Sequence, residues 1–249
     1  MLLGVLLGIA GWSVHRSRHL DARTQWIRTV SASVVLVSDQ PLSRVSGVRW
    51  STGVASLQEW FGREWGRYRP ASPVPMITVA LDGWAQVETL PSSPGRAADL
   101  AGRAREVLAF KAAQQKIDAR IAEHAARDIT IYVVLRPTPN GGGLVEGVAE
   151  AGGRVGMVEA VLETHDLSLE LTAVAHELLH CLGATDKYDA RGHAILPQGL
   201  AEPEKTPLFP QLAAEVMVGE IPTAPGEGRA LTRLEEVQVG PVTAREIRW

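Results

Sequence analysis

The sequence predicts a protein of the α+β class, in which helices pack on a mixed, twisted sheet. Two observations lead to this prediction: short β-branched runs alternate with long helical patterns as far as Gly183, and prolines then interrupt the chain repeatedly. The composition is that of an ordinary globular protein, with 249 residues, of which 45% are hydrophobic and 21% charged. We therefore predict an upper lobe over residues 29–183 and an irregular, mostly helical lower lobe over residues 184–249.

The first part of the upper lobe alternates strands and helices. Residues 29–37 are rich in valine and are followed by a turn signal, which is typical of a strand. Apolar residues recur at steps of three and four over residues 53–68, which predicts a helix. A second strand is predicted over residues 76–81. A second long helix is predicted over residues 97–127, where alanine, arginine, glutamate and glutamine give high helix propensity.

Two further strands precede the helix with the most informative sequence. Residues 129–135 form an uninterrupted apolar run, which suits a strand covered on both faces. Residues 154–162 follow two glycines and include exposed charges, so we predict that they form the edge strand. The segment 168–183 has a helical apolar pattern, with Ser168 as a candidate N-cap and Gly183 as a candidate stop.

The helix predicted over residues 168–183 contains His176-Glu177-Leu178-Leu179-His180. Histidines four positions apart lie on the same face of a helix, so their imidazole nitrogens can reach one zinc ion. Glu177 lies about 100° round the helix from His176, near enough to a zinc-bound water to act as a general base. This spacing predicts a zinc site with Glu177 as the catalytic residue.

A catalytic zinc site normally has three protein ligands and one open position. Gly183 permits a turn with positive φ that would end the helix and return the chain toward the metal, so Asp186 is the predicted third ligand. Asp186 could instead cap the following turn, which leaves Asp189, His193 and Glu202 open as alternatives.

Two neighbours of the motif have simpler interpretations. Cys181, the one cysteine of the chain, points about 100° away from His180 and is expected to be a small buried apolar residue. Tyr188 could donate to a developing oxyanion, although packing is the simpler expectation.

The motif HExxHxxGxxD, from His176 to Asp186, resembles that of the metzincin zinc metallopeptidases in the form where aspartate replaces the third histidine. The resemblance extends to Met217, 37 residues after His180, where that family places its Met-turn, a methionine packed beneath the ligand histidines. The flanks of Met217 lack the usual serine and tyrosine. The order of elements before the motif is also similar to a metzincin upper lobe. The stretch from Asp186 to Pro222 resembles a group of bacterial membrane-anchored proteins with the same motif.

The resemblance and the ligand spacing lead to one expected function. We expect a zinc-dependent metalloendopeptidase that binds Zn²⁺ and hydrolyses a peptide or protein substrate held along the edge strand. One alternative is a membrane-anchored, zinc-binding interaction protein without turnover. Another is a peptidase of the gluzincin type, in which Glu202, Glu204 or Glu215 is the third protein ligand.

The charge balance excludes one class of partner. The chain has 25 basic and 28 acidic side chains, and four of the arginines but one aspartate lie within residues 1–28. The remaining body is therefore mildly acidic, which is a poor electrostatic match for nucleic acid. We expect no nucleic-acid partner, and the sequence does not indicate an oligomeric state.

The first 20 residues are predicted to attach the protein to a membrane. Residues 1–14 have no charged side chain and are followed by His15, Arg16, Arg18 and His19. The apolar run is short for a membrane span, and the basic residues follow it, so a cleaved signal peptide is not favoured. The positive-inside rule applied to these arginines would place the body in the cytoplasm, but a basic residue before the run would reverse it. Our expectation is a membrane-anchored protein with its body on the extracytoplasmic face.

Overall fold

The computed structural model describes residues 20–72, 76–92, 99–121, 127–137, 145–162 and 166–249. The predicted membrane anchor over residues 1–20 therefore lies almost entirely outside the described residues. Within the described ranges, no helix has both the length and the apolar character needed to cross a membrane.

A five-stranded mixed sheet forms the centre of the protein. Its strands stand in the order β2-β1-β3-β5-β4, and all neighbours are parallel except β4 and β5, which are antiparallel. The strands are β1 (Val30–Ser38), β2 (Ile77–Gln86), β3 (Ile129–Arg136), β4 (Glu146–Ala149) and β5 (Val155–Val161). The predicted α+β class with a mixed sheet is confirmed.

The prediction that residues 154–162 form the edge strand is wrong. Strand β5 lies between β3 and β4, and β4 is the edge strand on this side of the sheet. Strand β4 has almost no sequence signal, because it has four residues, two of them Glu146 and Gly147, and follows a glycine-rich breaker run. The charges of residues 154–162 are compatible with an inner strand because Glu159 pairs with Arg136 of β3 at 2.9 Å.

Helices cover both faces of the sheet. Helices α1 (Arg44–Tyr68) and α3 (Ser168–Cys181) pack on one face, against a core that includes Val34, Ile131 and Val158. Successive side chains of a strand point to opposite faces, so Val35 and Tyr132 belong to a second core on the other face. There they pack with residues of α2 (Leu100–Asp118). Strand β3 is therefore buried on both faces, as its apolar run predicts.

Two element boundaries differ from the predictions for local reasons. Helix α1 begins at Arg44, nine residues before the predicted start, because the Ser43 hydroxyl accepts the Ser46 N–H and caps a first turn that is largely polar. Strand β2 continues to Gln86 because a bulge at Asp82 interrupts its pairing with β1 without ending it. Helix α2 lies within the predicted range of 97–127 but ends at Asp118, nine residues before the predicted end; residues 122–126 are outside the described residues.

The prediction of a mostly helical lower lobe is wrong. After Gly183 the structure has four short strands, which are β6 (Ala214–Glu215), β7 (Glu220–Ala224), β8 (Glu227–Ala230) and β9 (Val237–Gln238). It also has a 3₁₀ turn over Leu234–Glu236 and one short helix, α4 (Pro241–Glu246). Seven prolines between residues 197 and 241 remove backbone donors and prevent longer helices.

An aromatic cluster joins the start and the end of the described chain to α1. The Trp65 ring lies 5.2 Å from the Trp26 ring and 5.7 Å from the Trp249 ring, measured between centroids. The indole N–H of Trp60 donates to the Val237 carbonyl at 2.8 Å. Segments more than 170 residues apart in sequence therefore bury one face of α1.

Candidate metal centre

Helix α3 positions the two histidines of the motif. The Asp166 carboxylate accepts hydrogen bonds from the N–H and the hydroxyl of Ser168, where the helix begins. Ser168 is thus the first helical residue and not the N-cap that the sequence predicts. The helix ends at Cys181, and Gly183 has a φ of 96°, as expected for a turn that only glycine makes easily. The Ala184 N–H then bonds to the Leu179 carbonyl, which folds the chain back beside the helix.

The turn after α3 brings Asp186 to the two histidines. Its Oδ1 atom lies 3.1 Å from Nε2 of His176 and 3.1 Å from Nε2 of His180. One ligand atom from each residue lies within 4.8 Å of the other two. Among the described residues, these three form the one group of three or more His, Cys, Asp or Glu side chains that could hold a metal ion.

Backbone carbonyls fix the orientation of both imidazole rings. Nδ1 of His176 donates to the Val216 carbonyl at 3.1 Å, and Nδ1 of His180 donates to the Ala184 carbonyl at 2.8 Å. With the proton of each neutral ring on Nδ1, the lone pair is on Nε2, and both Nε2 atoms face Asp186. Val216 is a site residue that the sequence does not predict, since a backbone carbonyl 40 residues after His176 has no sequence signal.

The donor set fits a small divalent cation. Two neutral imidazole lone pairs and a carboxylate repel one another unless a positive charge lies between them or both rings are protonated. Two imidazolium rings with centroids 4.6 Å apart would also repel, whereas one metal ion satisfies all three groups. A tetrahedral site with bonds of about 2.1 Å separates neighbouring ligand atoms by about 3.4 Å, close to the 3.1 Å found here.

The electrostatics of the cluster reflect this arrangement. When both rings also carry a proton on Nε2, as they can without a metal ion, their hydrogen bonds hold the pKa of the Asp186 carboxyl far below its usual range. Burial alone would lower the pKa of His180, but the hydrogen bonds to Asp186 and to the Ala184 carbonyl outweigh it, so the pKa is raised. Asp186 is therefore an anion throughout the physiological pH range and is available as a ligand.

Glu177 lies beneath the edge strand with an unpaired oxygen. The side chain is buried, and its Oε2 atom has no hydrogen-bond partner among the residues that the structure describes. Burial raises the pKa of Glu177, and the neighbouring His176 and His180 oppose the rise. A methyl group added to Gly147 of β4 would lie 2.8 Å from Cγ of Glu177, so the strand passes directly over this side chain. A buried carboxylate with a free oxygen and a raised pKa suits proton transfer.

Met217 lies in a tight turn that also bears the carbonyl bonded to His176. The Val218 N–H bonds to the Glu215 carbonyl across the turn, and the Met217 side chain is fully buried. The Met217 carbonyl accepts the N–H of Lys187, the residue after Asp186. The turn is therefore bonded to α3 at His176 and to the ligand loop at Lys187.

Asp189 and His193, two alternatives for the third ligand, have other partners. The Asp189 carboxylate accepts the N–H groups of Arg191 and His193 at 2.8 and 3.1 Å. Nδ1 of His193 pairs with Oε1 of Glu220 at 3.1 Å. Neither residue joins the His176 cluster among the described groups.

The three glutamates of the gluzincin alternative are also outside the cluster. Glu202 accepts the Leu212 N–H, and Glu204 is exposed. Glu215 is fully buried and accepts the Thr243 hydroxyl at 2.6 Å, so it links the Met217 turn to α4. Burial raises the pKa of Glu215.

The two remaining neighbours of the motif occupy different environments. The Cys181 side chain is buried in the core, and burial raises its pKa to about 12, which agrees with the expected apolar role. Tyr188 is 39% exposed, and its ring centroid lies 6.4 Å from that of His176. Burial and the nearby Asp186 charge raise the pKa of Tyr188, so its hydroxyl remains a hydrogen-bond donor.

Comparisons with known proteins do not indicate a function for this chain. No family model matches the sequence, and no curated protein matches it. Among solved structures, the chain is similar to one described as the structure of a chaperone-substrate complex, with a TM-score of 0.39 and 17% sequence identity. The match covers 88% of this chain and 34% of the other, so this chain spans about a third of that protein's length. A TM-score this low assigns neither fold nor function.

Proposed function

We propose that the protein is a zinc-dependent peptidase in which His176, His180 and Asp186 bind the metal and Glu177 is the general base. The observation that supports this most directly is the orientation of the donors. Both Nε2 lone pairs and the Asp186 carboxylate converge, and the unpaired oxygen of Glu177 is buried on the next position of the same helix.

Two imidazole nitrogens and one carboxylate oxygen form a donor set typical of zinc. Three protein ligands leave one coordination position for water, as catalytic zinc sites require. When bound, the ion would lower the pKa of that water and polarise the scissile carbonyl. The hydrogen bonds to the Val216 and Ala184 carbonyls hold the rings in the orientation that ligation needs.

Glu177 performs the proton transfers in this proposal. Its buried carboxylate takes a proton from the attacking water and passes it to the leaving amine. The raised pKa makes the carboxylate a stronger base than an exposed glutamate, which helps the first transfer. Among the residues that the structure describes, Oε2 has no hydrogen-bond partner, so that oxygen is available for the transfer.

The edge of β4 supplies a place for an extended substrate. Strand β4 pairs with β5 and, among the described residues, with no other strand, so its outer backbone groups can bond to a peptide. This assignment replaces residues 154–162, which the sequence favoured for the same role. Gly147 lies on β4 against Glu177, so a peptide added along this strand would pass close to the base.

The proposal includes the metzincin type of the peptidase and its attachment to a membrane. The metzincin type is supported by the turn at Gly183, the position of Asp186 and the buried Met217 in a turn bonded to the ligand loop. Attachment to a membrane through residues 1–20 is proposed from the apolar run alone, and the extracytoplasmic face is proposed against the side that the positive-inside rule gives for Arg16 and Arg18.

The test compares the wild type with Glu177→Gln and His176→Ala. We expect one zinc per chain in the wild type and in Glu177→Gln, with casein hydrolysis reduced at least about a hundredfold in the latter, the scale for loss of a general base. His176→Ala should lose the zinc, as measured by elemental analysis after gel filtration. Full zinc in His176→Ala would refute the ligand assignment, and zinc binding without wild-type hydrolysis of any peptide library would favour the non-catalytic interaction protein.

A further inference from the structure

Arg23 is buried in the described segment that precedes β1. It lies in a short helical stretch over residues 20–24, and 3% of its surface is exposed. Its Nη2 atom donates to the carbonyls of Gly152 and Gly153 at 2.8 Å each, and to the Cys181 carbonyl at 3.2 Å. Among the described residues, no carboxylate forms an ion pair with this guanidinium.

The three carbonyls belong to two elements of the candidate site. Cys181 follows His180 and ends α3, while Gly152 and Gly153 lie in the turn between β4 and β5. The Gly152 N–H donates to the His180 carbonyl at 2.7 Å, so the turn and the helix end are in direct contact. Arg23 bonds to both elements at this contact.

The location suits a buried cation without a carboxylate partner. The last carbonyls of a helix have no intrahelical donors and carry partial negative charge, equivalent to about half an electron at the helix end. The hydrogen bonds from Arg23 to the Gly152 and Cys181 carbonyls are buried and satisfy groups that have little access to water, whereas the bond to the Gly153 carbonyl is partly buried. Loss of the guanidinium would leave these acceptors unsatisfied and weaken the contact between turn and helix.

We propose that Arg23 is a positioning residue that holds the β4–β5 hairpin against the end of the active-site helix. Strand β4 has four residues and, among the described residues, pairs with β5 alone, so the turn bonded to Arg23 adds to the packing of β4 on α3. The hairpin is also the element that places Gly147 over Glu177. The segment before β1, which the sequence places outside the upper lobe, is thus part of the site. The kinetic consequence rests on the proposed peptidase function, whereas the structural consequence does not.

The experiment uses the full chain with Arg23→Met, Arg23→Lys and the matched control Arg28→Met. Arg28 lies five residues further along the same segment, but it is half exposed and pairs with Asp128 on the surface. In Arg23→Met we expect amide hydrogen exchange in residues 146–153 to be at least about tenfold faster than in the wild type, with β1 and β3 unchanged. For peptide hydrolysis we expect KM to rise about tenfold and kcat to change less than about threefold, because substrate is bound along β4.

Arg23→Lys retains a cation that can donate to the same carbonyls. We therefore expect its hydrogen exchange in residues 146–153 and its KM to lie between those of Arg23→Met and the wild type. Arg28→Met should match the wild type in KM and kcat and should not accelerate exchange selectively in residues 146–153, although loss of the bond to Asp128 lowers the global stability. Exchange in residues 146–153 that is equal in Arg23→Met and Arg28→Met would overturn the proposal. Exchange that is accelerated equally in β1, β3 and residues 146–153 of Arg23→Met would also overturn it, because a general loss of stability predicts that result. The same holds for Arg23→Lys if its exchange is accelerated equally in all three regions. If the wild type hydrolyses no peptide, the peptidase function fails while the exchange measurement still decides the role of Arg23.

Discussion

Replacement of Gly147 by alanine tests whether the edge strand sets the position of the general base. The added methyl group would lie 2.8 Å from Cγ of Glu177, and ordinary van der Waals contact begins at 3.4 Å. Either Glu177 or β4 must therefore move by about 0.6 Å, and by more at the carboxylate oxygen, which is closer still. Gly147 has no positive φ, so strain of the backbone does not contribute.

The magnitude follows from the sensitivity of catalysis to position. A displacement near 1 Å costs about a hundredfold in rate, so we expect Gly147→Ala to lower kcat/KM by about 10- to 100-fold. Zinc content should not change, because the three atoms nearest to the added methyl group all belong to Glu177, which is not a ligand. The assay is steady-state hydrolysis of a fluorogenic peptide, with zinc determined on the same samples.

The matched control is Gly62→Ala in the interior of α1. A methyl group there meets no atom within 4 Å, and alanine is favoured over glycine in a helix by about 0.5–1 kcal/mol. This variant should retain kcat/KM and be slightly more stable. Undiminished kcat/KM in Gly147→Ala, with zinc and fold intact, would refute the placement of Glu177 beneath β4.

Three further predictions concern the metal ligands, the pH dependence of stability and the N-terminal segment. Asp186→Asn should lower zinc affinity at least about a hundredfold in a chelator competition, while Asp189→Asn should leave it unchanged; the reverse order would exchange their roles. In zinc-free protein, the hydrogen bond from Arg28 holds the pKa of Asp128 at about 2, below its unfolded value of 3.8. The carboxylate therefore stabilises the fold above pH 3.8, and this contribution is lost as the pH falls toward 2. We expect Asp128→Asn to cost about 1–2 kcal/mol at pH 7 in urea unfolding and almost nothing near pH 2; a cost independent of pH would contradict this. The full chain should fractionate with membranes and resist carbonate, whereas a chain shortened to begin at Leu20 should be soluble and bind zinc; recovery of the intact full chain in the soluble fraction would disprove the anchor.

The residues of the candidate site that lie close together in the sequence are predictable from it. His176, His180 and Asp186 lie within one helix and its following turn, so helical spacing and the turn at Gly183 are sufficient to bring them together. Val216 is different, because its carbonyl reaches His176 only through the folding of the lower lobe. A backbone acceptor has no residue preference, so its role has no sequence signature.

The strands show the same division between local and distant causes. Strands β1 and β3 are buried on nearly every residue, and their uninterrupted apolar runs identify them directly. Strand β4 is short, and it is fixed by pairing with β5 and by the contact of its turn with α3. These are tertiary interactions, which override weak local propensity. The sequence pattern therefore favours residues 154–162 as the edge strand, whereas the edge strand is β4.

The aromatic cluster on α1 determines when the protein can complete its fold during synthesis. Trp60 and Trp65 are covered by residues 237–249, which follow the end of α1 by about 180 residues. At about 5–20 residues per second, a ribosome needs about 10–40 s to make that interval. Throughout this time a nascent chain exposes a tryptophan-rich helical face, so slower translation lengthens the period in which this face can associate with other nascent chains.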